Sequence, residues 1–156
     1  MLQIYCGDGK GKTTAAVGLS VRAAGRGRRV VFTQFLKSGD SGERTVLAGM
    51  PTVTLVPVPQ TMKFTFLMDQ AERQAEAERQ TALLERSAAM AAEADLLVLD
   101  ELCAALSADM LSLERVLTLL DGWPKELEVV ITGRNPPQAL LDRRRPRKRP
   151  HRHKIQ

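Results

Sequence analysis

The sequence predicts an α/β fold, an open and mainly parallel sheet with helices on both of its faces. Three observations point to it. A short β-prone run, Leu2-Gln3-Ile4-Tyr5-Cys6, passes through a glycine-rich loop straight into a stretch of helix formers. Two later runs, Arg29 to Leu36 and Ala94 to Glu101, are apolar enough to be buried on both faces, as strands of parallel sheets are. Helical patterns stand between the strands, the alternation expected of strand–helix–strand units. At 156 residues the chain suits one domain with a sizeable core.

The loop Cys6-Gly7-Asp8-Gly9-Lys10-Gly11-Lys12-Thr13-Thr14 fits the phosphate-cradling pattern G-x-x-x-x-G-K-[ST] at Gly11, Lys12 and Thr13, with Cys6 where the first glycine normally stands. Gly7, Gly9 and Gly11 let the backbone curl with its N–H groups inward, a nest for an anion. Lys12 adds a point charge for phosphate oxygens, and the Thr13 hydroxyl is a Mg²⁺ ligand type. The following helix, Thr13 to Ala24 with Gly25 as its expected stop, aims its positive end at the same place. The fold class sharpens accordingly to a P-loop NTPase-like one. Arg22, near the far end of that helix, reads by itself as a solvated charge.

Farther along, the Arg29 to Leu36 strand ends at Gln34 and Phe35, which should open on the ligand side, since crevices in open α/β sheets lie outside the carboxyl ends of the strands. A polar loop from Lys37 to Glu43 leads to a short helix over Arg44 to Gly49. Thr52 to Pro57 is a third strand, ended or kept at an edge by its proline. Pro59 to Met68 has neither period, and its aromatics Phe64 and Phe66 suit either a ligand wall or a loop folded back on the core. Asp69 and Glu72 form a capping box for a long helix running to about Ala94. The strand Ala94 to Glu101 ends in two carboxylates, which need a partner at the end of so apolar a run; a cation near phosphate is one, and capping of a helix is the plainer alternative. Leu111 to Leu120 is an amphipathic helix, Glu128 to Thr132 a further strand, and Gly133-Arg134-Asn135-Pro136 leaves its carboxyl end, as a closure over phosphate or ribose or as a plain turn. Gln138 to Asp142 starts a last helical turn.

Hydrophobic residues make up 44% and charged ones 26%, ordinary for a globular protein, and no apolar run is long enough to cross a bilayer. Without a visible signal peptide the expected location is cytoplasmic. Cys6 and Cys103 have no metal-ligand spacing and are expected as buried free thiols. The net charge of +5 is placed unevenly. Eight basic residues lie between Arg143 and Lys154, so that the remainder carries −3 and gives no polyanion signal. The expected division is therefore a nucleotide-binding domain over residues 1–142 and a basic, disordered tail over 143–156.

Taken together these blocks resemble the P-loop ATP:corrinoid adenosyltransferases, which act on cob(I)yrinic acid a,c-diamide or cob(I)alamin. The resemblance is carried by Gly7 to Ala16, Gly18-Leu19 with Arg22-Ala23, Gln34-Phe35-Leu36-Lys37, Gly42-Glu43, Phe64-Thr65-Phe66, Leu97 to Leu102 and Ile131 to Asn135, in unbroken order. It implies transfer of the 5′-deoxyadenosyl group of ATP to the cobalt of a reduced corrinoid with release of tripolyphosphate, usually in a homodimer. A protein reductant for Co(II) is a further partner. The implied ATP-binding set is Gly7, Asp8, Gly9, Lys10, Gly11, Lys12, Thr13, Thr14, Arg22 and Arg134, and the implied metal set is Thr13, Asp100 and Glu101, with Lys12 and Glu101 as the catalytic residues. Phe64 and Phe66 match an aromatic pair beside the corrinoid, the second often Trp, whose apolar faces displace the lower axial ligand. The family is also understood to bind ATP reversed relative to most P-loop proteins, which exposes the ribose carbon.

The chain departs from the family at Leu140-Leu141-Asp142, which passes directly into Arg143-Arg144-Arg145-Pro146 rather than an acidic segment; a shifted reading frame or truncated gene is the expectation this raises. Two other functions fit parts of the sequence. The generic motifs suit an ATPase or kinase cleaving the β–γ bond, with Glu101 positioning water or an acceptor hydroxyl. The tail suits salt-sensitive nucleic-acid contacts, although no aromatic is interleaved to stack bases.

Overall fold

The computed structural model describes residues 1–144 and contains five parallel strands, β1 (Leu2–Cys6), β2 (Val30–Gln34), β3 (Val53–Leu55), β4 (Leu96–Asp100) and β5 (Glu128–Gly133), in the order β1-β5-β4-β2-β3. The helices are α1 (Lys12–Gly25), α2 (Gly42–Ala48), α3 (Gln70–Ala91), α4 (Leu102–Ser107), α5 (Leu113–Gly122) and α6 (Gln138–Arg143). Parallel strands require crossovers, and these are right-handed. The path moves one way through β1, β2 and β3 and returns through β4 and β5, so the connecting helices fall on opposite faces. Ala16 of α1 and Leu47 of α2 pack with Val30, Phe32, Leu96, Val98 and Val130 on one side. Residues of α3 to α6, among them Leu84, Leu102, Val116 and Leu140, pack with Ile4, Val31, Leu97, Leu99 and Ile131 on the other. Every residue of β2 and of β4 is buried. Each fully buried aliphatic side chain contributes about 1.5–3 kcal/mol toward the cost of ordering the chain.

Local chemistry explains the boundaries. Asp69 and Glu72 make the expected capping box. The stop of α1 is Gly27 rather than Gly25: Gly27 adopts φ +71°, its N–H bonds to Ala24 O, and Arg28 N–H bonds to Ala23 O. That is a Schellman closure, which places its left-handed residue two positions after the helix proper. β3 is short and at the edge, as its proline requires. The short helix α4 was not visible as a separate element because its apolar run continues that of β4. Its buried residues Leu102, Cys103 and Ala105 carry no alternation to mark the change. Ser112 caps α5 by accepting from Arg115 N–H, which starts that helix two residues later than its apolar pattern suggests. The face that α3 buries is partly polar: Glu76, Gln80 and Ser87 lie beside Leu84 and Ala91. Gln80 Oε1 accepts from Leu36 N–H at 3.1 Å and Ser87 Oγ lies 2.7 Å from Thr33 Oγ1, so this helix fixes the end of β2 by hydrogen bonds.

α6 ends at Arg143, whose guanidinium grips Asp121 through Nε and Nη2, both at 2.8 Å. Of the tail expected to be disordered, residues 145–156 lie outside the described residues. No helix among the described residues is long and apolar enough to cross a membrane.

Gly133 is a tight point of the architecture. It has φ +140°, and a Cβ built there stands 2.5 Å from Cys103 Cβ and 3.2 Å from the Cys103 backbone nitrogen. Gly133→Ala should therefore destabilise the protein by about 1–3 kcal/mol through overpacking alone, with the positive φ adding to it. Chemical denaturation measures this, and an unchanged midpoint would show that α4 yields freely.

Candidate active site

The carboxyl ends of β1, β5, β4 and β2 converge on one side of the sheet, and the chemistry-bearing residues gather there. Gly7 and Gly11 take the left-handed conformations that the nest needs, at φ +122° and +99°. Lys12 Nζ bridges the loop, donating to Gly7 O at 2.7 Å and Gly9 O at 2.6 Å. Its charge is thus held against the backbone of the loop. Gly11 precedes α1, so the positive end of a 14-residue helix points into the nest.

Asp100 is the centre of the site. Its carboxylate is wholly buried at the end of β4. Oδ1 accepts from Thr13 Oγ1 at 2.9 Å and Thr132 Oγ1 at 2.7 Å, and Oδ2 accepts from Gln34 Nε2 at 3.3 Å. A buried carboxylate is tolerable only with such donors. The loop, β2 and β5 are thereby tied to β4 through one side chain. Thr132 accepts in turn from Glu101 N–H at 2.9 Å. This holds Glu101 in a left-handed conformation, φ +59°, at the start of α4. Its carboxyl makes no capping bond to that helix, so the plainer alternative for Glu101 fails. Burial and then the neighbouring Asp100 charge raise its pKa, while Lys12, Lys37 and Arg134 pull the other way.

A second ring surrounds Gln34. Its Nε2 also donates to Glu43 Oε1 at 3.2 Å, and its Oε1 accepts from Arg44 Nη1 at 3.1 Å. Arg44, itself buried, donates through Nη2 to Val56 O at 3.1 Å, and burial lowers its pKa. Lys37 Nζ donates to Glu43 at 2.9 Å. Although burial acts to raise the Glu43 pKa, the hydrogen bond from Lys37 and its companions hold it at about 2.

Lys37 lines two cavities. One, of about 340 Å³, is lined by Leu36, Lys37, Met62, Lys63, Phe64 and Thr65. The other, of about 300 Å³, lies between the end of β2 and α3, against Gln34, Pro57, Arg79, Gln80 and Leu83. Phe64 and Phe66 are 70% and 79% exposed and stack on each other, ring centroids 5.5 Å apart at 16°. They are not folded back on the core. Their segment, a 3-10 turn over Thr65–Leu67, is pinned from below by Arg73, which donates to Thr65 O at 3.0 Å and to Ala108 O at 2.9 Å.

The structure brings together Gly7, Gly9, Gly11, Lys12, Thr13, Asp100 and Glu101, with Arg134 close enough to act on Glu101 electrostatically. Arg22 is not among them. It is exposed in the last turn of α1, nine residues beyond Thr13, roughly 14 Å along the axis at 1.5 Å per residue. Cys103 is buried as expected, but Cys6 is exposed, because β1 ends there and the chain turns out into the loop. Burial first, then Cys6 and Glu101, push the Cys103 thiol up to about 12. Sequence reasoning missed the parts played by Thr132, Arg44 and Arg73. A hydroxyl closing the apolar run Val129-Val130-Ile131 was the available signal for the first; the two arginines gave none.

Comparison with known proteins agrees with this geometry. The sequence model of ATP:corrinoid adenosyltransferases BtuR/CobO/CobP matches residues 1–145. The chain belongs to that family. It is 35% identical over 142 residues to the corrinoid adenosyltransferase CobA of Salmonella typhimurium, covering 89% of this chain and 70% of that protein. Identity to the corrinoid adenosyltransferase of Escherichia coli K12 is 33% with the same coverage. The Pseudomonas aeruginosa corrinoid adenosyltransferase is 33% identical over 145 residues, 91% of this chain and 70% of its own. In this corrinoid adenosyltransferase family member the helix start after the glycine loop is thus braced directly by Asp100.

Two outcomes follow from these contacts. Thr132→Val removes a donor to Asp100 and the acceptor of Glu101 N–H, and should cost about 1.5–3 kcal/mol, with Thr132→Ser largely retaining stability in denaturant titrations. Glu43 is more acidic folded than unfolded, so it stabilises the fold above its ordinary value of 4.5 and loses that contribution as pH falls toward 2. Stability measured across that window should fall less steeply in Glu43→Gln; identical slopes would remove the role assigned to the Lys37–Glu43 pair.

Proposed function

We propose that this chain transfers the 5′-deoxyadenosyl group of ATP to the Co(I) of a reduced corrinoid, releasing tripolyphosphate, in adenosylcobalamin biosynthesis or salvage. The observation that carries the reading is the adjacency of a phosphate nest to an exposed aromatic stack. Gln34 bonds to Asp100 at the nest, and Lys37 lines the cavity that Phe64 closes. Lys37 is three positions along the chain from Gln34, with two residues between them, a span of at most about 11 Å.

The chemistry asks little of proton transfer. Co(I) is the nucleophile and C5′ the electrophile; the cobalt–carbon bond forms as the bond from C5′ to the triphosphate oxygen breaks. What the protein supplies is placement and charge. In this reading the N–H groups of Gly7 to Thr13 and the charges of Lys10 and Lys12 hold the triphosphate and stabilise it as it departs. Asp8 and Thr14 complete the loop, and Arg134 approaches the nucleotide from outside it. Phe64 and Phe66 offer an apolar face to the corrinoid and keep water and the lower ligand from cobalt.

Thr13, Asp100 and Glu101 offer only hard oxygen donors, and Asp100 is already oriented toward the Thr13 hydroxyl, a donor set that suits Mg²⁺ shared with phosphate oxygens and water. When bound, Mg²⁺ would offset the negative charge of the triphosphate. We assign this activity to residues 1–142, working as a cytoplasmic homodimer served by a reductant for Co(II). The exposed aromatic stack and the family membership support the substrate; the oxygen donors support the metal.

Anaerobic incubation with ATP, Mg²⁺ and chemically reduced cobalamin should give the spectrum of a cobalt–carbon bond and one tripolyphosphate per adenosylated corrinoid. Phosphate or ADP as product would point instead to cleavage at the β–γ bond. Lys12→Ala should lower turnover by at least about 10²-fold with the circular dichroism spectrum unchanged, and near-normal turnover would refute the triphosphate role.

A further inference from the structure

Cys6 and Cys103 are 97 positions apart in the sequence and play no part in the chemistry above, yet the sheet brings them to one spot. Side chains alternate along a strand. Leu2 and Ile4 of β1 pack into the core cluster on the face of α3 to α6, so Cys6 projects to that same face. On β5, Val129 and Ile131 belong to the same cluster, and Gly133 continues their alternation. Cys6 and Gly133 are register partners across the β1–β5 ladder. Gly133 has no side chain, and the space its Cβ would take is filled by Cys103, whose Cβ lies 2.5 Å from that point.

The Cys103 side chain thus stands where a cross-strand neighbour of Cys6 would be. Strands are spaced about 4.8 Å apart and Cys103 Cβ stands 2.5 Å from the Gly133 point, which puts the two Cβ atoms between about 2.3 and 7.3 Å apart, a range that includes the roughly 3.5–4.5 Å a disulfide needs. Cys6 ends β1, where the chain turns out into the loop, so its end of the strand can adjust to close the bond. Both thiols are free, Cys6 exposed and Cys103 fully buried.

We propose that Cys6 and Cys103 form a reversible oxidation site, closing an intramolecular disulfide when a peroxide or a small-molecule disulfide reaches the exposed Cys6. With hydrogen peroxide, the Cys6 sulfur attacks one oxygen and the O–O bond breaks; the departing hydroxide takes up the thiol proton as water. Cys6 is then a sulfenic acid. The Cys103 sulfur attacks it, the S–O bond breaks, and the second hydroxide leaves as water with the Cys103 proton. Two electrons pass from the thiols to the peroxide.

The site has a consequence for the nucleotide. Cys6 opens the phosphate loop, and Cys103 lies two residues beyond Glu101 in the turn that Thr132 holds. The bond ties these two segments together and draws the first residue of the loop toward α4. A misplacement of about 1 Å at a reacting site is enough to cost about 10²-fold in rate, and the same movement takes loop N–H groups away from the phosphates they would bind. This consequence rests on the nucleotide role proposed above; the bond itself does not.

The test uses the full chain, reduced and then exposed to hydrogen peroxide or oxidised glutathione, with a non-reducing peptide map and thiol titration. The expected result is a linked pair of peptides holding Cys6 and Cys103, with both thiols lost in a monomeric chain. Mg²⁺–ATP affinity should fall at least about tenfold and return with dithiothreitol. In Cys103→Ala, oxidised Cys6 should remain trappable by dimedone, and in Cys6→Ser the Cys103 thiol should survive; the wild-type map decides even if either variant fails to fold. Cys6 going to sulfinic acid or pairing with another chain while Cys103 stays free overturns the site. A disulfide that leaves ATP affinity unchanged overturns its effect. Failure of the reduced chain to bind ATP would instead count against the nucleotide role, with the map still deciding the bond.

Discussion

A carboxylate removed wholly from water must be met by donors, and the way Asp100 is met fixes the rest of the site. Its three donors come from three different segments, Thr13 at the start of α1, Gln34 at the end of β2 and Thr132 at the end of β5. None can move without leaving buried charge unsatisfied, a loss larger than an ordinary neutral hydrogen bond. The same contacts that make the buried charge tolerable therefore hold the phosphate loop in register with the acidic end of β4. A hydroxyl and a carboxylate that share one hydrogen bond are also close enough to share a cation.

Stiffness is unevenly distributed around this centre. The phosphate end is built from strand ends and a helix start, backed by buried side chains on both faces of the sheet. The aromatic end is a single 3-10 turn whose rings are exposed and whose backbone is anchored mainly through Arg73. Such a division suits a reaction in which a triphosphate must be held firmly while a large, flat macrocycle enters and leaves. Between the two ends the Gln34, Glu43, Arg44 and Lys37 network passes from the buried carboxylate to the wall of the cavity, so the electrostatic state of one end is felt at the other.

Some of this was legible in the chain. The glycine loop, the strand ending in two carboxylates and the capping box at Asp69 are local patterns, each set by neighbours within a few residues, and the structure keeps all of them. Local patterning failed where the deciding contact is distant. Cys6 looked like a core residue because it ends an apolar strand, but the turn into the loop exposes it. Gly25 looked like the helix stop, but two further residues were needed to reach the left-handed closure at Gly27. Gly133 read either as part of a closure over phosphate or ribose or as a plain turn, whereas its missing side chain makes room for Cys103 of another element.

By itself the sequence determined the class of fold, the glycine loop that opens a helix and the strand ending in carboxylates, because hydrophobic period and glycine spacing act over short range. Only the tertiary structure decided that Thr132 and Gln34 share Asp100 with Thr13, that Arg22 stands at the far end of its helix from the loop, and that Phe64 and Phe66 face outward. Those facts depend on strand order and on which face each crossover covers. They are settled by packing between segments remote in the chain, which no local pattern encodes.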